Sequence, residues 1–196
     1  MLLYEKDNLK QEDDEIMNLQ SKSVANCGIH MTGHIVDRIF DKNGNLIDTI
    51  EGYNLVVNSF LKMVMALAKG ESGYSGISYW AVGSGDDSWD SNTPDPEINA
   101  TRLTAEIGRV AIAPSEIKFL TAENIESDSP TNIIQIKHTF ASSDCNGKWR
   151  EFGLFGGNAT ADANSGIMIN KRHHGIITKT ADMSIERTMT FTLNLV

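Results

Sequence analysis

Glu151 is the carboxylate that the sequence places in the least expected surroundings. In an extended segment 149–155 it shares one face with Trp149 and Phe155, and the opposite face is also apolar. A strand that is apolar on both faces belongs in the centre of a sheet or under a subunit contact. A carboxylate at such a position must be paired or strongly hydrogen-bonded.

Three arginines are candidate partners for Glu151 in a structural ion pair: Arg102, Arg109 and Arg187. An exposed Glu151 is the alternative. Catalysis by Glu151 is disfavoured, because a single carboxylate cannot catalyse a reaction without a second acid, a nucleophile or a metal ion beside it. The sequence also contains no Gly-x-Ser-x-Gly elbow, P-loop or His-Glu-x-x-His motif. It therefore predicts a protein that is not an enzyme, with no catalytic, cofactor-binding or metal-ligating residue.

A loop rich in acidic residues follows Gly83-Ser84-Gly85. These two glycines after a strand resemble part of a dinucleotide-binding loop, but the acidic residue Asp86 comes next and would repel a phosphate, so a turn is predicted. The acidic side chains of the loop are Asp86, Asp87, Asp90 and Asp95. Clustered carboxylates suit Ca²⁺, yet no ligand spacing is recognisable, and a solvated acidic loop is the default.

Two further groups of side chains could bind something. Tyr74 and Trp89 could form a sugar-stacking surface with the loop 86–100, although Trp89 could equally pack against the domain beneath it. The adjacent His173 and His174 point to opposite faces of a strand and are therefore not expected to share a metal ion.

The elements that must position these groups are mostly strands. Residues 184–196 alternate polar and apolar side chains, with only Arg187 breaking the apolar face. This pattern predicts a long strand with one face on a core and the other in water or on a partner. Further strands are predicted near 78–82, 109–113, 117–120, 133–140, 148–155, 166–171 and 175–178.

A hairpin and a single helix complete the predicted elements. Asn43-Gly44 lies between two β-branched segments and predicts a tight hairpin turn. Asn58 is a good N-cap for the helix, and Gly70 ends it. The helix carries an apolar stripe at helical spacing, widened by Met63 and Met65, which we expect to pack on the core, with a methionine-rich groove for a partner as the alternative. The residues of the stripe are Phe60, Leu61, Val64, Leu67 and Ala68.

These elements predict a mainly β protein, an antiparallel β-sandwich with one flanking α-helix and an N-terminal extension. Residues 1–28 are polar and acidic and are predicted to be an N-terminal arm or linker, while residues 29–196 form the domain. A solvated leader is the default interpretation of this arm, and a docking arm that orders only on a partner is the alternative.

Composition narrows the classes of partner. The net charge of −9 argues against a general basic surface for nucleic acid. No apolar segment is long enough to predict membrane insertion, and the start of the chain does not read as a signal peptide. Cys27 and Cys145 suggest neither a disulfide framework nor a zinc site, which fits folding in a reducing cytoplasm.

Several segments taken in order resemble a family of tailed-phage virion proteins. They are the hairpin with Asn43-Gly44-Asn45, residues 53–58 entering the helix, 77–85, 103–109, 149–155 and 177–183 before the last strand. The resemblance covers roughly residues 33–196, and the family comprises tail-fibre, baseplate and collar components.

The resemblance implies a structural protein of the phage particle, an adaptor or short fibre of the tail, baseplate or neck, assembled in the bacterial host cytoplasm. The implied partners are other virion proteins and further copies of this chain, with a trimer favoured. A host receptor- or carbohydrate-binding module of the virion is the alternative function.

Overall fold

The computed structural model describes residues 28–90 and 92–195. The protein is mainly β, with 53% strand and 10% helix. Its strands form one antiparallel sheet of eleven strands, and the described residues contain a single helix, so the predicted fold class is confirmed. The predicted arm lies, apart from Gly28, outside the described residues. The larger of two compact units is Thr32–Thr192, and the described remainder comprises residues 28–31 and 193–195.

The elements follow in chain order. The strands are β1 (Ile29–Asp41), β2 (Leu46–Val56), β3 (Ser75–Gly83), β4 (Glu106–Ala111), β5 (Ile117–Leu120), β6 (Glu126–Ser127), β7 (Ile133–Phe140), β8 (Gly147–Gly157), β9 (Ile167–Met168), β10 (Asn170–Lys179) and β11 (Met183–Leu195). The helix α1 (Ser59–Lys69) lies between β2 and β3. Short 3-10 turns occupy Asp87–Asp90 and Pro114–Glu116.

The sheet is a sandwich because it folds where β2 meets β10. The order of strands is β4-β3-β8-β10-β2-β1-β11-β7-β5-β6, with β9 beside β8. Only two residue pairs join β10 to β2, Asn170 to Val56 and Lys171 to Leu55. Across this narrow junction the two halves of the sheet face each other, since the Arg187 side chain of β11 lies over aromatic rings of β3 and β8.

Two predicted strand features are confirmed. Gly44 takes a φ of 82° in the β1–β2 turn, and the Asp41 carboxylate accepts the backbone N–H groups of Asn43 and Asn45 at 2.8 and 2.9 Å. On β11 the predicted apolar face is buried from Ile185 to Phe191, and it packs between β1 and β7. The core therefore lies between the two halves of the sheet.

The prediction that the apolar stripe of α1 packs on the core is wrong. The helix is buried through Ser59 and Met63, whereas Leu61, Val64 and Leu67 are exposed. Gly70 ends the helix in a left-handed conformation, as predicted. The predicted N-cap makes no capping bond, because the Asn58 side chain donates to the Asn99 side chain instead.

Candidate functional site

Glu151 lies fully buried at the centre of β8, a strand buried over almost its whole length. Its carboxylate accepts the backbone N–H groups of Thr104 and Ala105 at 3.0 and 2.8 Å. On the neighbouring strand β3 the directly opposed residue is Gly83, where a Cβ atom would come within 2.7 Å of Glu151 Oε1. Gly83 therefore makes room for the carboxylate, which explains this glycine without any phosphate-binding role.

The ion-pair partner of Glu151 is Lys171, not one of the three arginines considered from the sequence. Lys171 Nζ lies 3.2 Å from Glu151 Oε2 and also donates to the Arg102 carbonyl oxygen and to Thr104 Oγ1. Antiparallel pairing places His173 of β10 opposite Glu151, and Lys171 lies two residues along the same face, within diagonal reach. Arg102 thus contributes through its backbone.

The other two arginines pair with different carboxylates. Arg109 forms a buried bidentate pair with Glu106, with the shorter contact at 2.6 Å. Arg187 forms a bidentate pair with Asp37, with both contacts at 2.7 Å. Strand register decides these pairings, and register between distant strands leaves no local signal in the sequence.

His173 of β10 lies next to the buried pair of Glu151 and Lys171. Its Nδ1 lies 2.8 Å from the Pro94 carbonyl oxygen, which can only accept, so Nδ1 carries a proton. Burial lowers the pKa of His173 below its ordinary value, and the bond to Pro94 only partly opposes this shift. In the neutral imidazole Nε2 is therefore an acceptor, 3.8 Å from Glu151 Oε2 and without a hydrogen-bond donor.

His173 and His174 point to opposite faces of the sheet, as predicted. The His173 ring lies 4.2 Å from the Trp89 ring, and the His174 ring contacts Phe152 of the core. No cluster of three or more His, Cys, Asp or Glu side chains suited to a metal ion occurs among residues 28–90 and 92–195. Asp86 in the acidic loop instead accepts the Ser88 backbone N–H at 2.8 Å, and hydrogen bonding with the Ser88 side chain first, and with its backbone second, lowers the pKa of Asp86.

Trp89 and Tyr74 do not form one surface. Trp89 covers Gly85, just past one end of β3, and a Cβ atom at Gly85 would meet its ring at 2.5 Å. Tyr74 precedes the other end of β3 and lies beside Gly157. Nine residues of extended strand separate these ends, a span of roughly 25–30 Å. Trp89 thus packs against the domain, which was the alternative considered from the sequence.

A cleft lies where β2 and β10 separate. Its volume is about 410 Å³, and it is lined by Tyr53, Asn54, Leu55, Asp95, Pro96, Lys171, Arg172 and His173. A smaller cavity of about 250 Å³ adjoins it beneath Trp89, sharing Asp95, Lys171 and His173. The larger volume is in the range of small-molecule sites. Sequence reasoning missed Tyr53, Asn54 and Arg172, since only the separation of two strands brings them together.

The Arg172 side chain bridges the two strands at this cleft. Its Nη2 donates to the Glu51 carbonyl oxygen at 3.2 Å, and the guanidinium lies where a Cβ atom at Gly52 would be. Burial lowers the pKa of Arg172 from its usual high value. The Asn54 amide lies over Gly33, and both of its polar atoms are buried without a hydrogen-bond partner.

Comparisons with known proteins give no assignment. No family model, no curated protein and no solved structure matches this chain. Within the described part of the chain, α1 is too short to span a membrane, and no helix there is both long and apolar enough to do so.

Proposed function

We propose that the protein is a non-enzymatic structural subunit of a tailed-phage particle, an adaptor or short fibre of the tail, baseplate or neck, and that it assembles with copies of itself. The observation that carries the proposal is the outer face of α1. This face, here called the α1 face, consists of Leu61, Val64, Met65 and Leu67, which are 59%, 41%, 68% and 44% exposed. Contiguous exposed apolar side chains of this kind mark interaction surfaces.

A second copy of the chain is the occupant that fits the α1 face best. The helix contains no acidic residue and carries Lys62, while its second lysine, Lys69, is paired with Glu71 just beyond the helix; the whole chain has a net charge of −9. The surface of another copy therefore offers both apolar contact and opposite charge. The family resemblance supports a trimer and the location in a phage particle.

The buried carboxylates support a structural role over a catalytic one. Asp37 is held by Arg187, and Glu151 is held by Lys171 and two backbone N–H groups. Each carboxylate has its charge balanced by a fixed partner and is shielded from solvent. Such groups fix strands and loops in place, whereas a general acid or base must reach its substrate.

Light scattering after size-exclusion chromatography tests self-association of the full chain. We expect the mass of three chains for the native protein, and a single-chain mass for the double variant Leu61→Glu, Met65→Glu. The matched control is Ile125→Glu, since Ile125 is 63% exposed and lies outside the helix. A monomeric native protein at high concentration, or an unchanged assembly of the double variant, overturns the self-association.

Immunogold electron microscopy of intact particles from the source phage tests the location separately. We expect gold at the tail end or neck when antibody against the purified chain is used. Absence of label, together with absence of the chain from the protein content of the particles, contradicts the virion assignment. In that case the light-scattering measurement still tests self-association of the chain.

A further inference from the structure

We propose that the cleft between β2 and β10 binds a neutral saccharide, a function beyond self-association. The cleft exists because the two strands pair over only two residues and then part, with β10 continuing along β8 and β2 continuing along β1. Side chains of both halves of the sandwich therefore line one crevice. Its volume of about 410 Å³ accommodates one or two sugar rings.

The balance of charge in the cleft favours a neutral ligand. The positive charge of Lys171 is offset by Glu151, with the two groups 3.2 Å apart. Arg172 and Asp95 then contribute one positive and one negative charge. A phosphate or a carboxylate would gain from Arg172 but be repelled by Asp95, while a neutral polar ligand can use both.

The hydrogen-bonding groups of the cleft are of both kinds. Asp95 accepts, Arg172 donates, and the Asn54 amide offers a donor and an acceptor that have no partner within the protein. A buried amide without partners is costly, so a turn of this side chain toward a bound ligand is favourable. Sugar hydroxyl groups both donate and accept, which matches this mixture.

Tyr53 supplies the apolar contact that a sugar ring requires. Its side chain is 74% exposed at the edge of the cleft, and its ring lies 5.3 Å from that of His34. The C–H face of a pyranose can pack on such a ring while its hydroxyl groups reach Asp95 and Arg172. The site thus has the apolar wall and the few convergent polar groups typical of small-molecule sites.

Saturation-transfer-difference NMR of the full-length protein tests the proposal. The probes are lactose, maltose, cellobiose and N,N′-diacetylchitobiose at millimolar concentration, with glucuronic acid as the anionic comparison. We expect a signal from at least one neutral disaccharide and a weaker one, or none, from glucuronic acid. Absence of signal from all four disaccharides, or binding of glucuronic acid alone, overturns the proposal.

Variants locate the binding. Tyr53→Ala removes only an exposed ring, so the domain should remain folded, and we expect affinity for the bound disaccharide to fall about tenfold. Asp95→Ala should also weaken binding. The matched control is Tyr74→Ala, which alters an exposed tyrosine just before β3 and away from the cleft. Affinity that survives Tyr53→Ala and Asp95→Ala, or that falls with Tyr74→Ala instead, shows that the cleft is not the site.

Discussion

The core around Arg187 and the outer face of α1 contrast in where they place charge and apolar surface. Arg187 is a charged residue on an apolar strand face, and it is fully buried. The α1 face is apolar and exposed. From residue type alone, Arg187 would be expected at the surface and the α1 face in the core. The difference teaches that burial depends on whether the fold brings a suitable partner to each side chain.

Arg187 can be buried because the surrounding strands supply hydrogen-bond acceptors and aromatic rings for its guanidinium. Asp37 of β1 accepts two hydrogen bonds from the guanidinium, and four rings enclose it, from Trp80, Phe140, Trp149 and Phe152. The closest ring, that of Phe152, has its centroid 4.0 Å from the guanidinium carbon. Cation–π attraction is strongest when water is excluded, as it is here. No comparable partner covers the α1 face within the described chain.

Removing Arg187 should have the largest effect on stability. Arg187→Met leaves the Asp37 carboxylate buried without its counter-charge, and we expect the free energy of unfolding to fall by about 3–5 kcal/mol. Urea unfolding followed by tryptophan fluorescence measures this change. The double variant Arg187→Met, Asp37→Leu should recover much of the loss, because no charge is then left unpaired. A single variant as stable as the native protein would contradict this account of the core.

Lowering the pH should weaken the same core through His174. Burial first, and the charge of Arg187 second, lower the pKa of His174 to about 4. The charged groups around it are Arg187, Arg172 and Asp37. Since the unfolded chain binds the proton more readily, stability should fall as the pH drops from about 6.5 to about 4, by at most about 3 kcal/mol.

Urea unfolding at a series of pH values measures this slope. In His174→Gln the part of the slope due to His174 should vanish, while other titrating groups continue to contribute. An identical pH dependence in the variant and the native protein would show that His174 does not titrate in the folded core at this low value.

Removing the charge of Glu151 should lower the free energy of unfolding less than removing Arg187 does. Glu151→Gln leaves the Lys171 ammonium buried without its carboxylate and weakens the bonds to Thr104 and Ala105. We expect a loss of about 2 kcal/mol in the free energy of unfolding. Glu123→Gln is the matched control at an exposed position and should be neutral. Equal stabilities of the two variants would remove the structural role assigned to Glu151.

Substitutions on the α1 face should have the smallest effect on the fold. Leu61→Lys and Met65→Lys alter exposed side chains, so the free energy of unfolding of the monomer should change by no more than about 0.5 kcal/mol. Met63→Ala, in the buried contact of the same helix, should cost about 2 kcal/mol or more. Thermal unfolding at low protein concentration compares the three. A large loss from Leu61→Lys would mean that this face packs within the domain.

Features that depend on neighbouring residues could be predicted from the sequence. The turn at Gly44, the end of α1 at Gly70 and the burial of one face of β11 follow from backbone conformation and side-chain alternation. The placement of Glu151 in a central strand also followed from its apolar neighbours, because β8 lies between β3 and β10. These features depend on residues that are near one another in the sequence, and the structure contains them as predicted.

Features that depend on distant residues could not be predicted. The partner of Glu151 is Lys171 because β10 lies beside β8 in one register, and three arginines were equally plausible without that register. The orientation of α1 was also missed, since periodicity shows that a helix has an apolar stripe but not which side meets the sheet. Tyr74 and Trp89, close in sequence, are held apart by the extended strand between them.

The sequence by itself determined where most of the strands lie, where the hairpin turns and where the helix ends, because these choices are made by each residue and its near neighbours. Only the tertiary structure decided that Arg187 is buried with Asp37, that the α1 face is exposed and that β2 and β10 part to form a cleft. The physical reason is that ion pairing, burial and cavity shape depend on strand register and packing between residues far apart in the chain.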